Sequence, residues 1–162
     1  MSDEVIARVS PSTFRVFMGV AAMSGLGAIL LYLALAYPPA SLLLRGFLVV
    51  MGLLALWAGT RMFSVNGLSL ELTETHLKDS EGRIIATIAE VESVDRGAFA
   101  FKPSHGFLLR LSQPAPRAWF PGIWWRMGRR VAIGGVLPGG ENKAIADMIS
   151  IAVARRKGDL PL

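Results

Sequence analysis

The chain predicts a membrane α-helical hairpin joined to a small α+β domain, a bent antiparallel sheet plugged by a C-terminal helix. Three observations carry that prediction. Two long apolar runs lie near the N-terminus, separated only by Tyr37-Pro38-Pro39-Ala40. From Leu68 onward the apolar pattern changes to a period of two. The chain then closes on a stretch of helical periodicity that ends in Arg155-Arg156-Lys157-Gly158.

The first run carries no charge from Val16 to Ala36. As a helix rising 1.5 Å per residue it spans roughly 30 Å, the hydrocarbon thickness of a bilayer. Ala34-Leu35-Ala36 has the small-x-small form of a signal-peptide cleavage site, but Asp3 and Glu4 stand where a basic leader region belongs and a second apolar run follows at once. A retained span over 14–37 is therefore expected. The second, 42–63, has an uncharged interior from Gly46 to Thr60, flanked by Arg45 and Arg61, whose side chains can snorkel toward headgroups. Residues 38–41 form the turn between the spans. Arg8, Arg15 and Arg61 lie on one side of the hairpin and Arg45 on the other. Basic flanks favour the cytoplasm, so the reading places residues 1–13 as a cytoplasmic segment, the turn in the periplasm, and the rest of the chain in the cytoplasm of a bacterial inner-membrane protein.

Small residues recur on each helix: Ala21, Gly25 and Ala28 in the first, Gly52, Ala55 and Gly59 in the second. Such stripes let two helices approach closely, either within the hairpin or against another membrane subunit. Phe14, Phe17, Phe47 and Leu56 read as outward, lipid-facing residues.

In the globular part, over 64–157 with a tail at 158–162, Leu68, Leu70 and Leu72 alternate with Ser69, Glu71 and Thr73, as in a half-buried strand. A short strand at 76–78 leads into the turn Asp79-Ser80-Glu81-Gly82 and a further strand over 83–88. Additional strands are expected at 92–101, 106–112 and 130–133. Ile145, Met148, Ile149, Ala152 and Val153 make one apolar stripe on a helix over 141–157, with Glu141 in its first turn and basic residues in its last. The order of membrane hairpin, the strand Leu68-Ser69-Leu70-Glu71-Leu72-Thr73, the segment Ile88-Ala89-Glu90-Val91-Glu92-Ser93-Val94 and the final helix resembles bacterial membrane-anchored proteins with a two-helix transmembrane hairpin and a PH-like domain. That resemblance implies a PH-like barrel, argues against an enzyme and supplies no catalytic residues.

The residues themselves point away from chemistry as well. There is no cysteine among the 162 residues, hence no thiolate, disulfide or cysteine-ligated metal. His76 and His105 lack any metal-ligand spacing, and Ser104-His105 sits in a Pro-Ser-His-Gly turn with no third triad member. Gly134-Gly135-Val136-Leu137-Pro138-Gly139-Gly140 fails as a phosphate loop, because Glu141 stands where the lysine is required, and reads as a linker. No cofactor and no metal are expected. The formal charge of +5 comes without a groove-reading motif, so nucleic acid is not the expected partner.

Charge is unevenly distributed along the domain. Residues 64–95 hold seven acids against Lys78 and Arg83, whereas 96–140 hold seven basic residues and no acid. The basic half suits an anionic bilayer, or else forms ion pairs with the acidic half. Within it, Trp119, Trp124, Trp125, Arg126, Arg129 and Arg130 combine large amphipathic rings with bidentate phosphate binders. They are the expected partner or lipid interface, although some of the aromatics could instead fill the core. The expected function is a non-enzymatic interaction or accessory protein that presents its domain at the membrane, to a membrane-protein partner or a second copy of itself; the alternative is a module that binds anionic lipid headgroups.

Overall fold

The computed structural model describes residues 4–97 and 103–159. They form two compact units: residues 13–66, and residues 4–12 together with the described residues from Gly67 onward.

The first unit is a pair of helices, α1 (Thr13–Ala36) and α2 (Leu42–Ser64), each long and apolar enough to cross a membrane. Pro38 and Pro39 separate them, and Ser41 caps α2, its hydroxyl accepting from the Leu44 N–H at 3.4 Å. The helices meet through glycine. A methyl group on Gly27 would lie 2.8 Å from the Gly52 carbonyl oxygen and 2.7 Å from Leu56, and one on Gly52 would lie 2.8 Å from Leu31. Gly59 faces Ser24. The stripe expected on α2 is thus in place, with Gly52 and Gly59 buried and Ala55 half-buried.

The stripe expected on α1 is not. Ala21, Gly25 and Ala28 are exposed, and nothing lies within 4 Å of a side chain built on Gly25. Gly25 and Gly27 are two positions apart, about 200° around the helix, so they look in nearly opposite directions. Ser24, Gly27, Leu31 and Ala34 form the true inner face. Leu56 is also corrected from outward to half-buried, because it rests over Gly27.

The second unit is α+β. Strands β1 (Val5–Val9), β2 (Leu70–Thr73), β3 (His76–Asp79) and β4 (Ile84–Thr87) form an antiparallel sheet in that order. A 3₁₀ turn at Ile88–Glu90 leads to β5 (Val91–Asp95), β6 (Phe107–Phe120) and β7 (Trp124–Ile133), a second antiparallel sheet, and then to helix α3 (Gly139–Lys157).

Residues 1–13 are therefore more than a leading segment: β1 pairs with β2 from Val5 opposite Thr73 to Val9 opposite Leu70. This pairing changes the environment of β2. All four of its residues are buried, Glu71 included, instead of alternating between core and water. The Arg8 guanidinium on β1, itself largely exposed, meets the Glu71 carboxylate at the edge of the sheet. The strand expected over 83–88 is shortened by the 3₁₀ turn, and that expected over 92–101 ends at Asp95, with 98–102 outside the described residues.

The largest departure is at the second hairpin. β6 continues past Ser112 to Phe120, and β7 begins at Trp124 rather than Arg130. Pro114 and Pro116 are carried where the pairing register shifts, between Arg110 and Ala118. Gly128, at φ 60°, lies opposite in β7. The hairpin tip turns back on the chain that follows it: Gly134 N–H donates to Ile123 O at 2.9 Å and Val136 N–H to Gly122 O at 2.8 Å. The expected linker at 134–140 is thus part of the packed body. Gly135, at φ 75°, lies so close to the Gly122 carbonyl that any side chain would collide with it, and Gly106 is equally tight against Ile133.

Helix α3 ends as its residues require. Gly158 at φ 79° donates its N–H to the carbonyls of Ala154 and Arg155. Arg156 reaches the Ile88 and Val91 carbonyls, and Lys157 donates to Glu92 O at 2.8 Å. Ile145, Ile149 and Val153 are buried as expected, but Asn142 and Ala146 complete the inner face while Met148 and Ala152 are exposed.

Candidate docking surfaces

Strand parity divides the tryptophan-arginine segment into an inner and an outer set. Trp124 points inward, 3% exposed, and stacks on Phe120 with ring centroids 4.8 Å apart. Arg126 follows on the same side. Its Nε donates to Pro116 O at 2.8 Å, and Nη1 to Ile84 O and Ile85 O at 3.1 and 3.0 Å, which ties β7 to β4 of the other sheet. Arg129 donates to Ser112 O and lies 3.8 Å from the Glu92 carboxylate. Trp124 is thus part of the core rather than of an interface, while Arg126, half-buried, and Arg129, exposed, spend donors on strand carbonyls of the framework. A planar guanidinium has five N–H donors, and here several of them satisfy strand carbonyls, at Ser112 and Pro116 of the bulged hairpin and at Ile84 and Ile85 of β4.

Trp119, Trp125 and Arg130 remain on the outside. Trp119 and Trp125 sit directly opposite each other across β6 and β7, and Trp119 is 49% exposed. Arg117, Ala118, Arg126 and Met127 join them around an open concavity of about 430 Å³. Arg130 lies farther along the outer face, opposite Arg110. Arg117 and Met127 were not among the residues expected at an interface. The signal for Met127 was present in its spacing of two from Trp125, but using it required the hairpin register.

A second apolar groove, about 340 Å³, runs between β1 and α3. Ile6, Met148, Ile151 and Ala152 form its exposed walls, Leu72, Ile88 and Ile149 line it below, and Glu74 and Arg155 carry charge at its rim. The sequence reading missed it because Ile6 belonged to an unassigned segment and Met148 and Ala152 were placed in the core.

Neither histidine enters these surfaces. His76 Nδ1 is 2.7 Å from the Thr75 hydroxyl, and His105, at φ 57°, packs beside Gly139. Among the described residues no group of three or more His, Asp or Glu side chains is placed to hold a metal ion. A smaller recess of about 250 Å³ at the start of α3 is lined by Arg96, His105, Asn142 and Lys143, and there Arg96 is paired with Asp147.

Comparison with protein-family models, with curated proteins and with solved structures finds no match.

Proposed function

We propose that this chain is a non-enzymatic interaction protein of the bacterial inner membrane, whose two-helix anchor holds a PH-like domain at the cytoplasmic face to assemble with or regulate a membrane-protein partner. The observation that carries this reading is the point at which the anchor enters the domain. It is inserted between β1 and β2, two strands paired side by side, rather than attached at one end of the domain. The links are residues 10–12 and 65–69. At about 3.3–3.6 Å per residue even a fully extended chain gives them only about 10–18 Å of reach. A domain held by two such links stays at the bilayer surface, which suits contact with a membrane neighbour better than pursuit of a diffusing substrate.

The PH-like reading is supported by a four-stranded and a three-stranded antiparallel sheet followed by one helix, with the β6–β7 tip hydrogen-bonded back to residues 134–136. The β1–α3 groove is the partner's seat in this reading, because it lies beside an edge strand and exposes Met148 and Ile151, flexible and apolar side chains typical of contact surfaces.

Affinity purification of the intact chain in mild detergent tests the proposal. A membrane protein in stoichiometric amount is expected, and Met148→Glu with Ile151→Glu should lose it while the chain itself remains monodisperse. Recovery of the chain alone would overturn the assignment. The orientation has its own test, made clean by the absence of native cysteine. Cysteines placed at Ser2 and Asp159 should resist an impermeant thiol reagent in intact cells, and one at Ala40 should react. Labelling at both termini would invert the arrangement.

A further inference from the structure

We infer that the outer face of the β6–β7 hairpin seats on the anionic surface of the same bilayer that α1 and α2 enter. The inference rests on the membrane-spanning reading of those helices, but it concerns a face of the domain separate from the β1–α3 groove. Three observations converge on it.

The first is composition by face. The parity that buries Trp124 turns Trp125 and Met127 outward, and cross-strand pairing sets Trp119 beside Trp125. Met127 is 54% exposed. Two amphipathic indoles and a thioether on one open concavity form a surface suited to the boundary between headgroup and acyl chain, where aromatic rings with a polar edge concentrate.

The second is charge complementarity. No acidic residue occurs anywhere from Arg96 to Gly140. Glu92 on β5 lies within 4 Å of Arg110 and Arg129. Arg117 and Arg130, both exposed on the hairpin, make no ion pair among the described residues. Their guanidinium forks are available to pair with phosphate. A protein partner would have to supply matching carboxylates at both places, whereas an anionic bilayer presents phosphate continuously across its surface.

The third is the tether. Two short links bring the domain to the interface already, so this face needs only weak affinity to remain seated, since the second contact of a tethered module is intramolecular. A pair of indoles with two arginines that make no ion pair among the described residues would be a poor membrane binder on a freely diffusing protein. On an anchored one it sets the orientation of the domain, and that leaves the β1–α3 groove a defined direction for its partner.

The experiment uses the full chain with Trp57→Phe, which removes the indole on α2, in nanodiscs whose phosphatidylcholine carries brominated acyl chains, prepared with or without phosphatidylglycerol. Bromine quenches indoles that enter the acyl boundary. Tryptophan emission should be quenched severalfold more strongly when phosphatidylglycerol is present, and high salt should remove the difference. Arg117→Gln with Arg130→Gln should abolish the lipid dependence without changing thermal unfolding. Trp119→Phe with Trp125→Phe should remove the quenched component, leaving the emission of buried Trp124. Equal quenching in both lipids, or quenching indifferent to the arginine pair, would overturn the inference. Absence of quenching together with loss of a copurifying membrane protein in Trp119→Ala would make this face a protein contact instead. A chain that fails to enter nanodiscs at all would sink the anchor reading, and this one with it.

Discussion

The helix hairpin and the β6–β7 hairpin both bring two antiparallel segments together, and they do it with opposite materials. In α1–α2 the contact is made by removing side chains: Gly27 lies against Gly52 and Gly59 against Ser24, so backbone meets backbone. For helices that span a bilayer, as proposed for this pair, lipid offers little hydrophobic drive for association and close packing is what remains. In β6–β7 the backbones are already joined by the hydrogen-bond ladder, and the side chains are free to be large. Trp124 and Phe120 fill the inside while Trp119 and Trp125 cover the outside. The difference teaches how each element encodes its faces. A strand assigns them by parity, so neighbours such as Trp124 and Trp125 are opposites. A helix assigns them by about 100° steps, so Gly25 and Gly27 are opposites although both are small and two apart.

The sharpest way to break this comparison is at the tryptophans. Trp124→Ala should cost about 3–5 kcal/mol, the range for a large side chain removed from a packed core. Trp125→Ala should cost clearly less, about 1 kcal/mol, because that residue is only half-buried. Denaturant unfolding of the two variants in detergent measures both. Similar losses would mean that parity does not divide the hairpin as described.

A smaller effect sharpens the helical half. Gly27→Leu should destabilise the anchor by about 1–3 kcal/mol through overpacking against Gly52 and Leu56. Gly25→Leu should leave thermal stability in detergent unchanged, since open space surrounds it. If Gly25→Leu is the damaging one, the inner face of α1 has been misassigned.

Arg126 is the next test, because it separates framework from surface within the basic segment. Arg126→Ala removes donors to three carbonyls on two sheets and should cost about 1–2 kcal/mol, in the range for hydrogen bonds to a charged group. The Arg117→Gln and Arg130→Gln pair should stay within about 0.5 kcal/mol of the parent. Equal stability of the Arg126 variant would return that residue to the interface.

The smallest expected effect concerns β1. Arg8→Ala leaves Glu71 without its partner, but Arg8 is itself largely exposed, so the loss should be no more than about 1 kcal/mol. Hydrogen exchange offers a finer reading than global stability, and amides in β1 should exchange faster in this variant than those in β3 or β4. Unchanged exchange would show that the pairing of β1 with β2 holds without this clip.

Much of the architecture was legible in composition and local chemistry. Uncharged runs bounded by arginine and broken by Pro38-Pro39 state two apolar helices. Asp79-Ser80-Glu81-Gly82 states a turn, and in the structure the Asp79 side chain accepts from the Glu81 and Arg83 N–H groups at 3.0 and 2.9 Å. The acidic first turn, basic last turn and Gly158 state the limits of α3, because helix ends are governed by dipole and cap, both local in sequence.

What tertiary structure alone decided is which surface each residue meets. Val5 to Val9 is too short and too ordinary to declare itself, and it becomes a strand only because β2, some sixty residues later, offers it an edge. The Gly106, Gly122, Gly134 and Gly135 cluster has no local signature, since its purpose is to let distant backbones touch. The tryptophan-arginine segment was visible as a concentration of residue types, but its division into a buried Trp124, framework-bonded Arg126 and Arg129, and an outer set of Trp119, Trp125 and Arg130 depends on where the hairpin turns and where its register shifts. Composition and end chemistry act between residues a few positions apart, so they can be read along the chain. Facing is set by pairing between segments far apart in sequence, where a shift of one residue exchanges the two sides of a strand.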